Sequence, residues 1–189
     1  MMSPEEEAEM DAYVESKQSA TVEKEQVNDM YYSNTKVDTT TLDHIKNREG
    51  VVYKSYKDSL GKLTAGVGHL LTKEEQKKYP NGTKIPKKQV DKWLQEDSKK
   101  AYKAAMEQMK DLNVTTPEFL TALTSVNFQL GTNWKNKFPT AYEHLKNKEY
   151  DRAIAEILYV KEGSSTKSKW NTQTPVRVND FVDAIRNLK

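Results

Sequence analysis

The sequence predicts an α+β fold, with one small antiparallel sheet near the start of the folded body and helices from there onward. Two observations point to the sheet. Residues 51–58 are rich in aromatic and β-branched side chains, and a Leu60-Gly61-Lys62 turn separates them from Leu63-Thr64-Ala65-Gly66-Val67. A third observation points to the helices: beyond His69, apolar residues recur at three- and four-residue spacing between prolines and glycines that mark helix ends.

The elements follow in order. Residues 1 to about 38 hold few large aliphatics and no glycine, and read as an acidic N-terminal arm with a weak core of its own. The body, 39–189, opens with a helix that Thr40 or Thr41 can cap, with Leu42, Ile45 and Glu49 on one stripe and Gly50 at its end. The hairpin of residues 51–67 comes next. Ile85-Pro86 introduces a long helix to about Leu112, striped by Val90, Leu94, Ala101 and Ala105. Thr116-Pro117 is a cap followed by proline, and the helix it starts carries Phe119, Leu123, Val126 and Leu130 up to Gly131. Pro139 opens another helix, and a further one runs through Tyr150, Ala153, Ile154 and Ile157. After a polar loop at 163–168, Thr174-Pro175 repeats the cap signal, and Val178, Phe181, Ile185 and Leu188 form the last stripe.

Composition narrows the function. There are 189 residues, enough for one domain plus an arm, and no cysteine, which rules out disulfides and thiolate metal sites. No apolar run is long enough to span a bilayer, so membrane insertion is not expected. The start, Met1 to Asp11, is acidic and lacks the basic and apolar parts of a signal peptide, so no export route of its own is expected. The net charge of +2 is unevenly spread. Residues 1–41 hold ten acids and three bases, a net of −7, which leaves +9 on the remainder. A basic body suits a polyanionic partner, whether cell wall, nucleic acid or membrane surface, and charge alone does not choose among them. Gly66-x-Gly68 lacks the third glycine of a dinucleotide fingerprint, and His44, His69 and His144 make no metal-ligand spacing.

The chemistry concentrates in Arg48-Glu49-Gly50, Tyr56-Lys57-Asp58, Gly61, Thr64, Gly66, Gly68 and His69. Taken alone, Asp58 before Ser-Leu-Gly is a turn former and Thr64 a strand residue. Taken together, two carboxylates on separate elements can flank a glycosidic bond, one donating a proton while the other stays ionised. Sharing a stripe with Leu42 and Ile45, Glu49 is expected to face the core, where desolvation would raise its pKa towards that of a general acid. Asp58, beside a polar turn, is expected to remain ionised.

In this register the sequence resembles the phage-type lysozymes, the endolysins of glycoside hydrolase family 24. Their signature is Glu-Gly at a helix end, an Asp nine residues on, a Thr six residues later, then Gly-x-Gly-His. Phe128-Gln129-Leu130-Gly131 and Trp170-Asn171-Thr172-Gln173-Thr174-Pro175-Val176-Arg177 resemble two further segments of the family, and the likeness runs from about residue 41 onward. It implies a lysozyme-like fold, with a small N-terminal lobe carrying the sheet and a larger helical C-terminal lobe. It also implies a muramidase without metal or cofactor that acts as a monomer on bacterial peptidoglycan rather than on nucleic acid. By the same resemblance Glu49, Asp58 and Thr64 are catalytic, Leu70, Phe128 and Gln129 contact sugar, and His69 and Arg177 support the site, with Arg177 close to Glu49. Two departures stand out. Ala141 and Glu156 occupy positions where family members can offer a serine and an asparagine, and the connection from Ile157 to Trp170 is longer than in the best-known members. An endolysin would wait in the host cytoplasm until released to the wall. The rival reading is a virion-associated tail component with a lysozyme module, to which the acidic arm would be suited.

Overall fold

The computed structural model describes residues 35–188. Positions 1–34 of the expected arm lie outside the described residues. Val37 and Asp38, at its far end, are built into the body. Val37 is buried, its N–H donates to Gln95 Oε1 (2.8 Å), and Asp38 accepts from the Tyr102 hydroxyl (3.1 Å).

Helix α1 spans Thr39–Glu49, and its cap is Asp38 rather than Thr40 or Thr41. The carboxylate accepts both the Thr41 N–H and the Thr41 hydroxyl, each at 2.8 Å. The threonine hydroxyl therefore serves as a donor and is not the capping acceptor. Gly50, at φ 78°, ends the helix and turns the chain into the sheet.

The sheet has three antiparallel strands in the order β1 (Val52–Lys57), β2 (Leu63–Gly66), β3 (His69–Leu70). Tyr56 pairs with Thr64 and Thr64 with Leu70, with an irregularity in β1 between Val52 and Tyr56. On the other side of β1, Ser55 N–H donates to Thr83 O and Ile85 N–H to Tyr53 O, so residues 83–85 cover that edge. Gly66 sits at φ 61°, where a Cβ would lie 3.1 Å from Val90 Cγ1. Both the backbone conformation and the close approach of the sheet to a helix require glycine there.

Helix α2 (Lys73–Lys78) starts with a full capping box between Thr72 and Glu75. Helix α3 (Lys87–Leu112) has 26 residues, about 39 Å of rod, and joins two cores. Its first half places Val90, Trp93 and Leu94 against Ile45, Ala65, Val67, Leu71, Tyr79 and Ile85. Its second half places Ala105, Met109 and Leu112 in a larger cluster of side chains from the later helices. Those are α4 (Pro117–Leu130), α5 (Trp134–Lys137), α6 (Pro139–Lys146), α7 (Tyr150–Leu158), α8 (Lys169–Gln173) and α9 (Pro175–Arg186). At the centre of the large lobe Trp134 and Phe119 pack on Phe181, with ring centroids 5.6 and 5.9 Å apart. There Gln108 bonds both Asn127 and the Trp134 indole, so its buried amide is satisfied.

The fold is thus the lysozyme-like α+β arrangement expected, and the apolar stripes named from sequence are buried or half-buried. Differences are local. Helices α5 and α8 are too short to show periodicity. Thr116 and Thr174 hold N-cap positions without capping by their side chains. The Thr174 hydroxyl instead accepts from Gln129 Nε2 at 3.0 Å. Among the described residues, no helix is long and apolar enough to cross a membrane.

Candidate active site

Glu49 is the last residue of α1, and its side chain is half-buried at the margin of the small core rather than within it. The stripe of Leu42 and Ile45 ends one turn earlier: Ile45 is fully buried, while Glu49 lies past the edge of the small core. Its surroundings are ionic. Arg177, in the first turn of α9, donates through a terminal guanidinium nitrogen to Glu49 Oε1. One turn along α9, Asp180 takes the neighbouring Arg48 in a fork, Nε to Oδ2 at 2.5 Å and Nη2 to Oδ1 at 2.9 Å. The end of α1 is therefore held by two ion pairs from one helix, more than 120 residues away in sequence.

His44 sits in the same seam, its Nε2 buried without a hydrogen bond and 3.7 Å from Asp180 Oδ2. Burial pushes its pKa below the ordinary value, which Arg48 and Arg177 reinforce and Asp180 opposes. The neutral form of the ring is thereby favoured next to two guanidinium groups.

Asp58 follows β1 and closes the hairpin. Its Oδ1 accepts the N–H groups of Leu60 (2.9 Å) and Lys62 (2.8 Å), and its own N–H donates to Lys62 O. The Thr64 hydroxyl, buried in the middle strand, donates to the same carbonyl at 3.2 Å. Lys62 is thus a backbone hub that brings Asp58 and Thr64 together. Oδ2 of Asp58 has no protein donor among the described residues.

His69 is clamped from both sides, Nδ1 to Asp97 Oδ2 (2.8 Å) and Nε2 to Glu75 Oε2 (3.0 Å), with its ring stacked on Trp93 at 4.4 Å. The Trp93 indole donates to Glu75 Oε1 at 2.7 Å. Burial alone would lower the pKa of His69, but hydrogen bonds to Asp97 and Glu75, together with their charges, hold it above its ordinary value. Burial would likewise raise that of Glu75, but the Thr72 backbone, His69 and Trp93 outweigh it and hold the carboxyl low. The clamp fastens β3 to α2 and α3 and so orients the sheet that carries Thr64.

Leu70 is half-exposed on β3 beside Thr64. Phe128 packs on the small core from α4, half-buried. Gln129 is fixed at both ends of its amide, accepting from the Trp170 indole (3.1 Å) and donating to Thr174. Ala141 and Glu156 share a hollow of about 350 Å³ with Phe138, Tyr159 and Trp170.

Sequence reasoning brought out Glu49, Asp58, Thr64, His69 and Arg177, but not Asp180, Glu75 or Asp97. Of these, only Glu75 had a readable signal, the Thr72-x-x-Glu75 capping pattern. Asp180 and Asp97 are ordinary helix-surface acids until the fold gives them partners.

Residues 46–173 match the family described as Phage lysozyme. Among characterised proteins, the chain is 27% identical over 162 residues to "Probable T4-type lysozyme 2" of Dictyostelium discoideum, covering 74% of this chain and 89% of that protein. It is 26% identical over 129 residues to "Peptidoglycan hydrolase gp36" of Pseudomonas phage phiKMV, covering 68% of this chain and 13% of that protein.

Proposed function

Since the chain belongs to the phage lysozyme family and is a muramidase-type peptidoglycan hydrolase, we propose that it cleaves the β-1,4 bond between N-acetylmuramic acid and N-acetylglucosamine, as an endolysin that opens its host's wall. Glu49 protonates the leaving oxygen. A water held by Asp58 and Thr64 attacks the anomeric carbon, and Asp58 takes its proton. The Thr64 hydroxyl spends its own hydrogen on Lys62 O, which leaves its lone pairs to receive that water. Leu70 and Phe128 offer apolar surface to the sugar rings, and Gln129 is a pre-positioned polar edge. Arg177 steadies Glu49, and His69 steadies the sheet.

The observation that carries this reading is the Asp58–Lys62–Thr64 cluster. It supplies a second carboxylate with an open oxygen and a hydroxyl acceptor beside it, which hydrolysis uses and an intramolecular transglycosylation does not need. The test is digestion of purified peptidoglycan by the full chain in ¹⁸O-labelled water, followed by mass spectrometry. Labelled reducing-end muramic acid is expected. Anhydromuramoyl products would overturn hydrolysis, and reducing-end glucosamine would overturn the assigned bond.

A second reading, a wall-degrading module carried on the virion, draws support from the phage relative, of which the matched region is only 13%. Immunoblots of purified particles against clarified lysates separate the two. Signal retained with the particles favours the virion, and signal confined to the lysate favours the endolysin.

A further inference from the structure

The long connection between α7 and α8 plays no part in the chemistry above. It is nevertheless ordered by its own backbone: Val160 N–H donates to Thr166 O at 3.0 Å, and Tyr159 bridges Lys167. This small loop carries Glu162 back towards the α6–α7 pair. There one ligand atom each from His144 on α6, Glu156 on α7 and Glu162 lies within 4.8 Å of the others. Among the described residues this is the group of acids and histidines with metal-holding geometry.

We propose that His144, Glu156 and Glu162 bind a divalent first-row cation, with zinc the best match. His144 is about nine-tenths buried, and its Nδ1 is tied to Glu149 Oε2 at 2.6 Å. A carboxylate on one imidazole nitrogen fixes the tautomer and leaves the other, Nε2, with its lone pair outward, the usual outer support of a metal-bound histidine. Nε2 has no protein partner among the described residues. Glu156 is oriented as well, because its Oε1 accepts the Glu162 backbone N–H at 3.0 Å.

Charge favours a dication. Among the described residues, the cation paired with this group is Arg152, whose Nε reaches both Glu162 oxygens at 3.1 and 3.2 Å and whose Nη1 reaches Glu149 at 3.3 Å. Three carboxylates set against one guanidinium leave an excess of negative charge. The Arg152–Glu162 pair is exposed, and a pair of that kind is weak enough for a metal ion to displace. Tetrahedral zinc with bonds of about 2.0–2.2 Å sets its ligand atoms roughly 3.4 Å apart, so two flexible glutamates need only small rotations to close the site. One imidazole and two carboxylates suit zinc and its neighbours better than calcium or magnesium, which prefer all-oxygen shells.

His69, the other histidine between acids, cannot serve, because carboxylates already occupy both its nitrogens. Metal at His144 would clip the extra loop to the large lobe beside the hollow that Glu156 lines. It would also give Glu156 a task that an asparagine could not perform as well.

The test uses the full chain stripped with a chelator, then titrated with Zn²⁺ by calorimetry and with Co²⁺ by visible absorption. One saturable equivalent is expected, with an intense tetrahedral Co²⁺ band. A hundredfold excess of Zn²⁺ over Kd should raise Tm by about 5–10 °C. Glu162→Gln, on the exposed loop, should leave the metal-free Tm within about 3 °C and weaken zinc at least tenfold. Glu149→Gln should weaken it about ten- to a hundredfold by freeing the ring, and Asp97→Asn at the His69 clamp should not change it. The proposal fails if zinc gives no saturable heat and no shift in Tm. It also fails if Glu162→Gln and Glu149→Gln bind as tightly as the parent, which would put the ion on other acids.

Discussion

Glu49 and Asp58 stand nine positions apart and are held in opposite ways. Asp58 is fixed by its own turn, with Leu60, Lys62 and Thr64 all within six residues. Glu49 closes a helix whose end is fixed by Arg177 and Asp180, from the far part of the chain. One carboxylate is therefore set as soon as the hairpin forms, and the other only once the large lobe has docked its last helix. Damage to the first should stay local, and damage to the second should arrive from a distance.

The sharpest probe of that difference is Glu49, the proposed acid. Glu49→Gln keeps the size of the side chain but has no proton to give, so turbidity clearing of wall suspensions should fall a hundredfold to ten-thousandfold. Its Tm should stay close to the parent's, since the amide oxygen can still accept from Arg177. A folded variant within threefold of wild type would place the acid elsewhere.

Next is the remote support. Arg177→Gln leaves Glu49 present but unheld, and loss of orientation should cost about tenfold to a hundredfold in kcat. Amide exchange in the 58–64 hairpin should not change. Faster exchange there would show that the two supports are coupled and would break the comparison.

The local support comes third. Asp58→Ala removes the acceptor of two backbone N–H groups and should cost about 1–2 kcal/mol, with exchange at Leu60 and Lys62 speeded most. Asp58→Asn retains an acceptor oxygen and should keep most of that stability while losing activity. If alanine and asparagine destabilise equally, the turn does not rest on Oδ1.

The smallest effect belongs to the His69 clamp, and pH reveals it. The folded pKa of His69 is raised, so its contribution is complete below about 6.5 and is lost as pH climbs through the folded value. Glu75 has a lowered folded pKa, so its contribution is present above about 4.5 and is lost as pH falls through the folded value. Both act together between about 4.5 and 6.5. Asp97→Asn should therefore cost most near pH 5.5, about 1 kcal/mol after solvent screening of this partly exposed acid, and less near pH 8.5. Thermal melts at the two pH values check this, and a penalty that grows with pH would contradict it.

Much of this was legible in the sequence because it is local or periodic. The stripes of Val90, Leu94 and Ala101, and of Val178, Phe181 and Ile185, mark buried helix faces because the α-helical period is fixed. Asp58 and its turn were readable because everything that binds the carboxylate lies within a few residues. Periodicity was only part of the answer at Glu49, which is half-buried. It sits at i+7 from Leu42, but a stripe says only which side a residue faces, not where the core ends. Asp38 took the cap from Thr40 and Thr41 because the stronger acceptor stood two residues before Thr40. The partners Asp97 and Asp180 carry no local signal, since pairing across 28 and 132 positions is set by packing alone.

The seam between the end of α1 and α9 also has a consequence for biosynthesis. A ribosome delivers Glu49 and the hairpin long before residue 177, and domains fold as units while the chain emerges. Until α9 has been made and seated, Glu49 has no guanidinium to hold it, so a nascent chain or a fragment stopping short of Arg177 carries both carboxylates without the assembled candidate site. On the endolysin reading proposed above, an enzyme aimed at the wall of its own host would thereby be kept unarmed through most of its translation.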